Sequence, residues 1–224
     1  MLSRRLRRSG AVSLLVALSV VAIFAGRAGA DPFAADVPEL AADVALPRWE
    51  QARAALVRDA ARLEACLADA GACEAAAHRR WRALVRDLEG RARTAQLRAV
   101  NRFVNRTPYA ADGAARGVRD HWAGPWAFLA GAGDCEDYAI AKYATLKQLG
   151  VPVRDMRIVV VEDVVRDLAH AVLAVRAGGR TWLLDNQTDG LVDAARDRRY
   201  APYYAVNDER RWLYRLPARG TAAR

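Results

Sequence analysis

Gly133-Asp134-Cys135-Glu136-Asp137-Tyr138-Ala139-Ile140 is the stretch on which the reading of this chain turns. Ala130-Gly131-Ala132-Gly133 before it is a poor helix former and predicts a flexible approach. Asp134 is a strong N-cap residue type, which puts Cys135 at the first position of a helix. Ala139, Ile140, Tyr143 and Leu146 then share one apolar face, and Gly150 with Pro152 stops the helix. Unpaired N–H groups and the helix dipole favour an anionic sulfur at such a place, and the thiolate is the reactive form of cysteine. The same N–H groups can stabilise the oxyanion of a tetrahedral intermediate.

Downstream, Met156 to Asp163 reads as a strand, with Ile158-Val159-Val160-Val161 in a row. His170 opens a second strand, His170 to Val175. Ala177-Gly178-Gly179-Arg180 is a hairpin signal, and Thr181 to Asp185 is a third strand. Helices followed by antiparallel strands predict an α+β fold. The hairpin can bring His170 near Asp185, so nucleophile, base and orienter follow in chain order. Each residue taken singly has a plainer reading: a small core cysteine, a polar strand-end histidine, a turn aspartate. The three together favour a cysteine hydrolase. The chain has only three histidines and three cysteines. His78 sits among Arg79, Arg80 and Trp81 in a helical pattern, and His121 precedes Trp122 in a loop; both are weaker candidates for a base. The acids Asp134, Glu136 and Asp137 oppose thiolate formation unless a bound cation or a charged His170 offsets them. The plain alternative is that Asp134 caps the helix while Glu136 and Asp137 favour its positive end.

Gly133 to Tyr143, together with Ile158-Val159-Val160-Val161, Ala169-His170-Ala171-Val172-Leu173 and Leu184-Asp185-Asn186, resembles the bacterial transglutaminase-like cysteine proteinases of the LapG type. Val100-Asn101-Arg102-Phe103-Val104-Asn105 and the segment from Tyr203 to Asn207 are similar as well, so the resemblance runs from about Trp49 to Trp212. It implies a papain-like, transglutaminase-type core with Cys135, His170 and Asp185 as the triad. It also implies a periplasmic, calcium-dependent endopeptidase with Asp134, Glu136 and Asp137 at the calcium site. The substrate it implies is the N-terminal region of a large surface adhesin, whose cleavage releases cells from biofilm. The implied inhibitor is an inner-membrane receptor for cyclic di-GMP. The rival readings are a transglutaminase or amidase with the same triad, and a non-catalytic binding module on this fold.

The N-terminus points to export on its own evidence. Arg4, Arg5, Arg7 and Arg8 form a basic region, Ala11 to Ala25 is apolar, and Ala28-Gly29-Ala30 is a small-residue cleavage site. Residues 1–30 therefore read as a signal peptide, with an uncleaved anchor as the alternative. The apolar run is shorter than the ~20 residues a spanning helix needs, so no stable membrane insertion is expected after cleavage. Setting aside the five arginines of residues 1–30 lowers the formal charge from +9 to +4, a weak argument for nucleic-acid binding. Arg196, Arg198 and Arg199 form a tight late cluster that reads as a solvated turn.

Residues 31–45 read as a flexible leader, 46–216 as one proteinase domain and 217–224 as a disordered tail. Three helical patterns precede the nucleophile, marked by Trp49 to Leu67, Trp81 to Leu88 and Leu97 to Val104. Trp122 and Trp126 read as packing residues, with Trp122 also a candidate for lining the substrate cleft or helping to form the oxyanion hole. Cys66 and Cys73 lie too far apart on an unbroken helix to bond. Ala70-Gly71 breaks the pattern between them, which favours a structural disulfide in an oxidising compartment.

Overall fold

A strand whose side chains are apolar on both faces needs cover on both faces, and Ile158-Val159-Val160-Val161 has it. Ile158 and Val160 pack into the larger core, and Val159 and Val161 into a second core. The same alternation runs through Val172, Leu173, Ala174 and Val175. The computed structural model describes residues 33, 37–40, 44–111 and 121–214, all within the unit Asp31–Arg224. The readings of residues 1–30 and 217–224 fall outside the described residues.

The helices are α1 (Pro47–Ala68), α2 (Ala76–Leu88), α3 (Arg93–Val104), α4 (Pro125–Ala130) and α5 (Cys135–Gln148). The strands are β1 (Met156–Asp163), β2 (Leu168–Ala177), β3 (Arg180–Leu184), β4 (Val192–Asp193), β5 (Tyr200–Val206) and β6 (Arg211–Leu213). They form one antiparallel sheet in the order β4-β3-β2-β1-β5-β6. Gly178 and Gly179 both have positive φ (61° and 73°), which a two-residue turn between twisted strands requires and which glycine adopts without a steric penalty.

Helix α5 is the central element. It packs on β1 and β2, with α1, α3 and α4 against it. The single apolar face read from the sequence is too narrow: every residue from Glu136 to Leu146 is buried. Burial all round is the mark of a core helix. Trp81 of α2, fully buried, donates from Nε1 to Thr145 Oγ1 of α5 at 3.0 Å. The larger core thus lies between sheet and helices and includes Trp49, Trp81, Phe128, Ile140 and Leu146, side chains that each contribute roughly 1.5–3 kcal/mol by burial.

The flexible-leader reading needs correction where the structure describes it. Phe33 is buried in the second core and Val37 packs against it. Glu39 bridges Trp212, with Leu40 N–H donating to Arg211 O (2.9 Å) and Leu213 N–H to Pro38 O (3.1 Å). The reason is physical: the outer face of the sheet is apolar and edge strand β6 has free backbone groups, so an apolar leader satisfies both. Arg211 extends the tie by donating to Val44 O and pairing with Glu50. Among the described residues no helix is long and apolar enough to cross a membrane.

Cys66 and Cys73 are bonded across the turn at Ala70–Ala72 that follows α1. Asp69 stabilises that turn by accepting from Gly71 N–H at 2.9 Å. Opening the bond by replacing both cysteines with serine is expected to lower stability by about 2–3 kcal/mol, because the closed loop is short. Urea unfolding measures the loss. Non-reducing peptide mapping should recover one linked peptide, with Cys135 as the free thiol.

Candidate active site

The nucleophile candidate stands where the pattern placed it, at the first position of α5. Asp134 is the N-cap residue in extended backbone (φ −113°, ψ −166°), but its side chain makes no capping hydrogen bond. The backbone N–H of Glu136 favours the charged form of its own carboxyl. The approach to Cys135 is pinned rather than flexible. Ala110 N–H donates to Gly133 O (2.9 Å) and Gly133 N–H to Pro108 O (3.3 Å). Asp137 is fully buried, and its Oδ1 accepts from Ala123 N–H at 2.6 Å. A Cβ on residue 133 would lie 2.2 Å from Asp137 Oδ2. Gly133 is therefore there for close approach, not for mobility.

Cys135 is half-buried, and its thiol donates to Glu136 Oε2 at 3.2 Å. Burial pushes the thiol well above its ordinary pKa; the charge of Glu136, its hydrogen bond and Asp134 add to the shift. One group works the other way: the Ala171 backbone N–H favours the anionic sulfur. Glu136 is itself buried, and burial pushes its carboxyl up to about 9, with the charges of Asp134 and Asp137 contributing. Among the described residues no group of three acids, histidines or cysteines converges as a ready metal cage.

Ala171 is the neighbour of His170 on β2, the strand on which α5 packs. His170 is the third residue of β2, not the first. Its Nε2 lies 2.9 Å from Asp185 Oδ1. A carboxylate only accepts, so Nε2 carries the proton and Nδ1 is the other ring nitrogen. Asp185 follows the last residue of β3 and is fully buried. Its Oδ1 also accepts from Gln187 N–H (3.0 Å), while Oδ2 accepts from Tyr200 OH (2.7 Å) and the Arg199 guanidinium (2.9 Å). Burial alone would raise its pKa, but the bonds from His170, Gln187 and Tyr200 outweigh it and hold the carboxyl well below the usual range.

Residues 58–215 match the family described as bacterial transglutaminase-like cysteine proteinase BTLCP. The chain belongs to that family. It is a cysteine protease, and its helices and six-stranded antiparallel sheet form the family's transglutaminase-like core. It is similar to LapG of Legionella pneumophila at 32% identity and a TM-score of 0.56, over 61% of this chain and 77% of that one. A calcium-bound form of that protein matches at 31% identity and an EGTA-treated form at 32%, both with a TM-score of 0.56. Each covers 61% of this chain, against 77% and 75% of the respective LapG chain. No curated protein sequence matches significantly.

Within this protease fold three residues beyond the expected ones converge on Asp185. Arg199, read as part of a solvated turn, bonds its buried carboxylate. Tyr200 bonds it too and stacks obliquely on His170, with ring centroids 5.4 Å apart. Gln187 places its side-chain amide 3.4 Å from His170 Nε2. The loop-and-strand pattern around Arg199 and Tyr200 carried no signal that they return to β3. The other basic side chains of that cluster are surface ones: exposed Arg196 is 3.9 Å from Asp193, and Arg198 bonds local carbonyls.

The competing histidines have structural places. His78 is buried, stacks on Trp126, accepts from Ala75 N–H and has Nε2 3.0 Å from Trp126 O. His121 is 2.7 Å from the Gln51 amide. Trp122 and Trp126 are both buried packing residues. Trp122 lines a cavity of about 320 Å³ beside α1, together with Arg58, Asp59 and His121. That cavity is not lined by Cys135, His170 or Asp185.

Proposed function

We propose that this cysteine protease is a calcium-dependent periplasmic endopeptidase working through Cys135, His170 and Asp185. The observation that carries the reading is the meeting of α5 and β2. Helix α5, which starts at Cys135, packs on β2, the strand that carries His170, and His170 is bonded to a buried, multiply held carboxylate. Cys135 Sγ attacks the scissile carbonyl carbon after its proton passes to His170 Nδ1. The backbone N–H of Cys135, one of those a helix start leaves without an intrahelical acceptor, is the donor offered to the developing oxyanion. The C–N bond breaks as the His170 proton moves to the leaving amine. Water, deprotonated by His170, then hydrolyses the thioester and frees the thiol. Asp185 keeps the ring in one tautomer and stabilises its charged form.

The acids beside the thiol fit a hard cation by donor chemistry. Glu136 is a buried carboxyl whose ionisation is opposed by Asp134 and Asp137, a conflict that oxygen-bound calcium relieves. Asp134 and Glu136 would hold the ion, with backbone carbonyls and water completing the shell. Asp137, expected as a third ligand, has Oδ1 committed to Ala123 N–H and serves as a brace for the loop. When bound, calcium supplies positive charge that offsets the field of these acids at the thiol. The calcium-bound and EGTA-treated forms of LapG support the choice of ion.

The substrate that agrees with the family resemblance is the N-terminal region of a large surface adhesin, and the restraint an inner-membrane receptor for cyclic di-GMP. Residues 1–30 supply the export signal. Incubation with a purified adhesin N-terminal fragment tests the reading, with mass spectrometry of the products. New termini mean hydrolysis; crosslinked chains without new termini would make the protein a transglutaminase. In the same assay a calcium-selective chelator is expected to stop cleavage and calcium alone to restore it. Calcium should also raise Tm, and Asp134→Ala should lose both responses. Full cleavage by metal-free protein, checked by elemental analysis, would reduce the acids to a helix-start role.

A further inference from the structure

Six large apolar residues stand exposed among the described residues, and three of them share the hairpin tip that joins β1 to β2: Val164 (50%), Val165 (76%) and Leu168 (59%). Turns favour Gly, Asn, Asp and Ser, so two successive β-branched valines run against local preference. Half or more of each of the three residues remains in water, so neither core gains much from them. A sequence that breaks a local rule without a gain in packing points to a surface in use.

The tip is stiff, and it is tied to the triad. Buried Asp163 accepts through Oδ1 from Val165 N–H (3.1 Å) and Arg166 N–H (3.2 Å), and through its carbonyl from Asp167 N–H (2.8 Å). Val164 N–H donates to Arg199 O (2.9 Å), and the Arg199 guanidinium holds the Asp185 carboxylate. Arg166 donates to Gln187 Oε1 at 2.7 Å, and the same amide has Nε2 3.4 Å from His170 Nε2. One bridging side chain therefore separates the tip from the triad histidine. Along β2, Leu168 lies two residues ahead of His170, ~7 Å away.

The size of the patch decides what it can take. Three such side chains offer on the order of a few hundred Å², far short of the ~1,200 Å² that a stable contact between two copies buries. That area suits one or two side chains of an extended peptide, and a preformed surface binds them with little ordering cost. The direction of the reaction decides which ones. His170 hands its proton to the leaving amine, so the substrate after the scissile bond departs past His170. The surface that continues from His170 to the tip meets that part of the chain.

We propose that the β1–β2 tip is a specificity surface of this protease, taking apolar side chains of the substrate within about three residues after the scissile bond, since an extended peptide advances ~3.3 Å per residue. The proposal rests on the triad reading above.

The test compares Val164→Ser/Val165→Ser with the unaltered protein, both calcium-loaded, on a library of internally quenched peptides whose products are read by mass spectrometry. The unaltered protein should cut peptides with Leu, Ile or Phe in that stretch about tenfold better in kcat/KM than those with Ser or Asp, chiefly through KM. The double variant should lose the preference to within about twofold and keep its Tm. A peptidyl aminomethylcoumarin, whose leaving group carries no residue after the cut, should be hydrolysed equally by both. A preference that the variant retains, a preference altered only before the cut, or an equal loss on the coumarin amide would overturn the proposal. So would a dimer of the unaltered protein, seen by sedimentation, that the variant fails to form, because the tip would then serve a second copy. A library left uncut by the unaltered protein counts against it as well, since the tip acts on side chains that short peptides carry. Cleavage that survives Cys135→Ala would sink the triad reading itself. Unchanged preferences in the tip variant beside a dead Cys135→Ala would sink only the role of the tip.

Discussion

Cys135→Ala is expected to abolish cleavage of an adhesin fragment while leaving the circular dichroism spectrum and Tm close to those of the unaltered protein. The sulfur is the atom that forms the thioester, and the remaining binding energy and oxyanion contacts provide only residual catalysis. Structure should survive because alanine suits the first turn of a helix, and because the tie lost is one thiol bond to Glu136. His170→Ala should be nearly as damaging. A thiol-reactive acyl probe should label the unaltered protein at one residue and leave the alanine variant unlabelled. Near-normal cleavage by that variant would refute the assignment of the nucleophile.

Asp185→Asn is expected to lower kcat on the order of 10²- to 10⁴-fold, with a smaller change in KM. Asparagine keeps the shape but presents an amide. One of its faces would offer N–H groups either to His170 Nε2–H or to Tyr200 and Arg199, all of which are donors. The ring is then free to take the other tautomer. Stability should also report the change, and its pH dependence identifies the cause. The Asp185 pKa is lowered on folding. Its carboxylate therefore contributes stability above the unfolded value near ~4, a contribution lost as pH falls toward the folded value. Tm measured against pH should drop on the acid side in the unaltered protein and drop less steeply in Asp185→Asn. Parallel acid-side curves would mean that Asp185 is not the group held ionised.

Much of the site was legible in the sequence because its parts lie at element boundaries with strong local chemistry. Asp134 after a glycine break marks the start of α5, and Gly178-Gly179 sets the β2–β3 turn that lets His170 reach Asp185. Strand β1 coincides with the apolar run from Met156 to Asp163. What was not legible depends on long-range return of the chain. β5 pairs with β1 across three intervening strands in sequence, and β4 and β6 are too short to show a pattern. Arg199 and Tyr200 ride on that return, so their convergence on Asp185 has no local signature. Gly133 was legible as a break but not as a contact, since the Asp137 oxygen it admits belongs to the next turn. Glu136 shows the same limit in another form. An acid in the first helical turn is ordinary; only the packing of α5 makes this one buried.

The pairing of residues 38–40 with β6 bears on how the protein keeps apart from its own copies. β4, at one border of the sheet, is two residues long and offers little to a passing chain. β6, at the other, has its backbone occupied at Arg211 and Leu213 by the segment just before α1. A chain trimmed to begin at α1 would keep Cys135, His170 and Asp185 and lose that guard. It would present a bare strand edge at Arg211 to Leu213, a template for strand-to-strand association between molecules. The leader therefore protects solubility at a border remote in sequence from the chemistry, and a proteolytic nick there would disperse activity into aggregates without touching a residue that reacts.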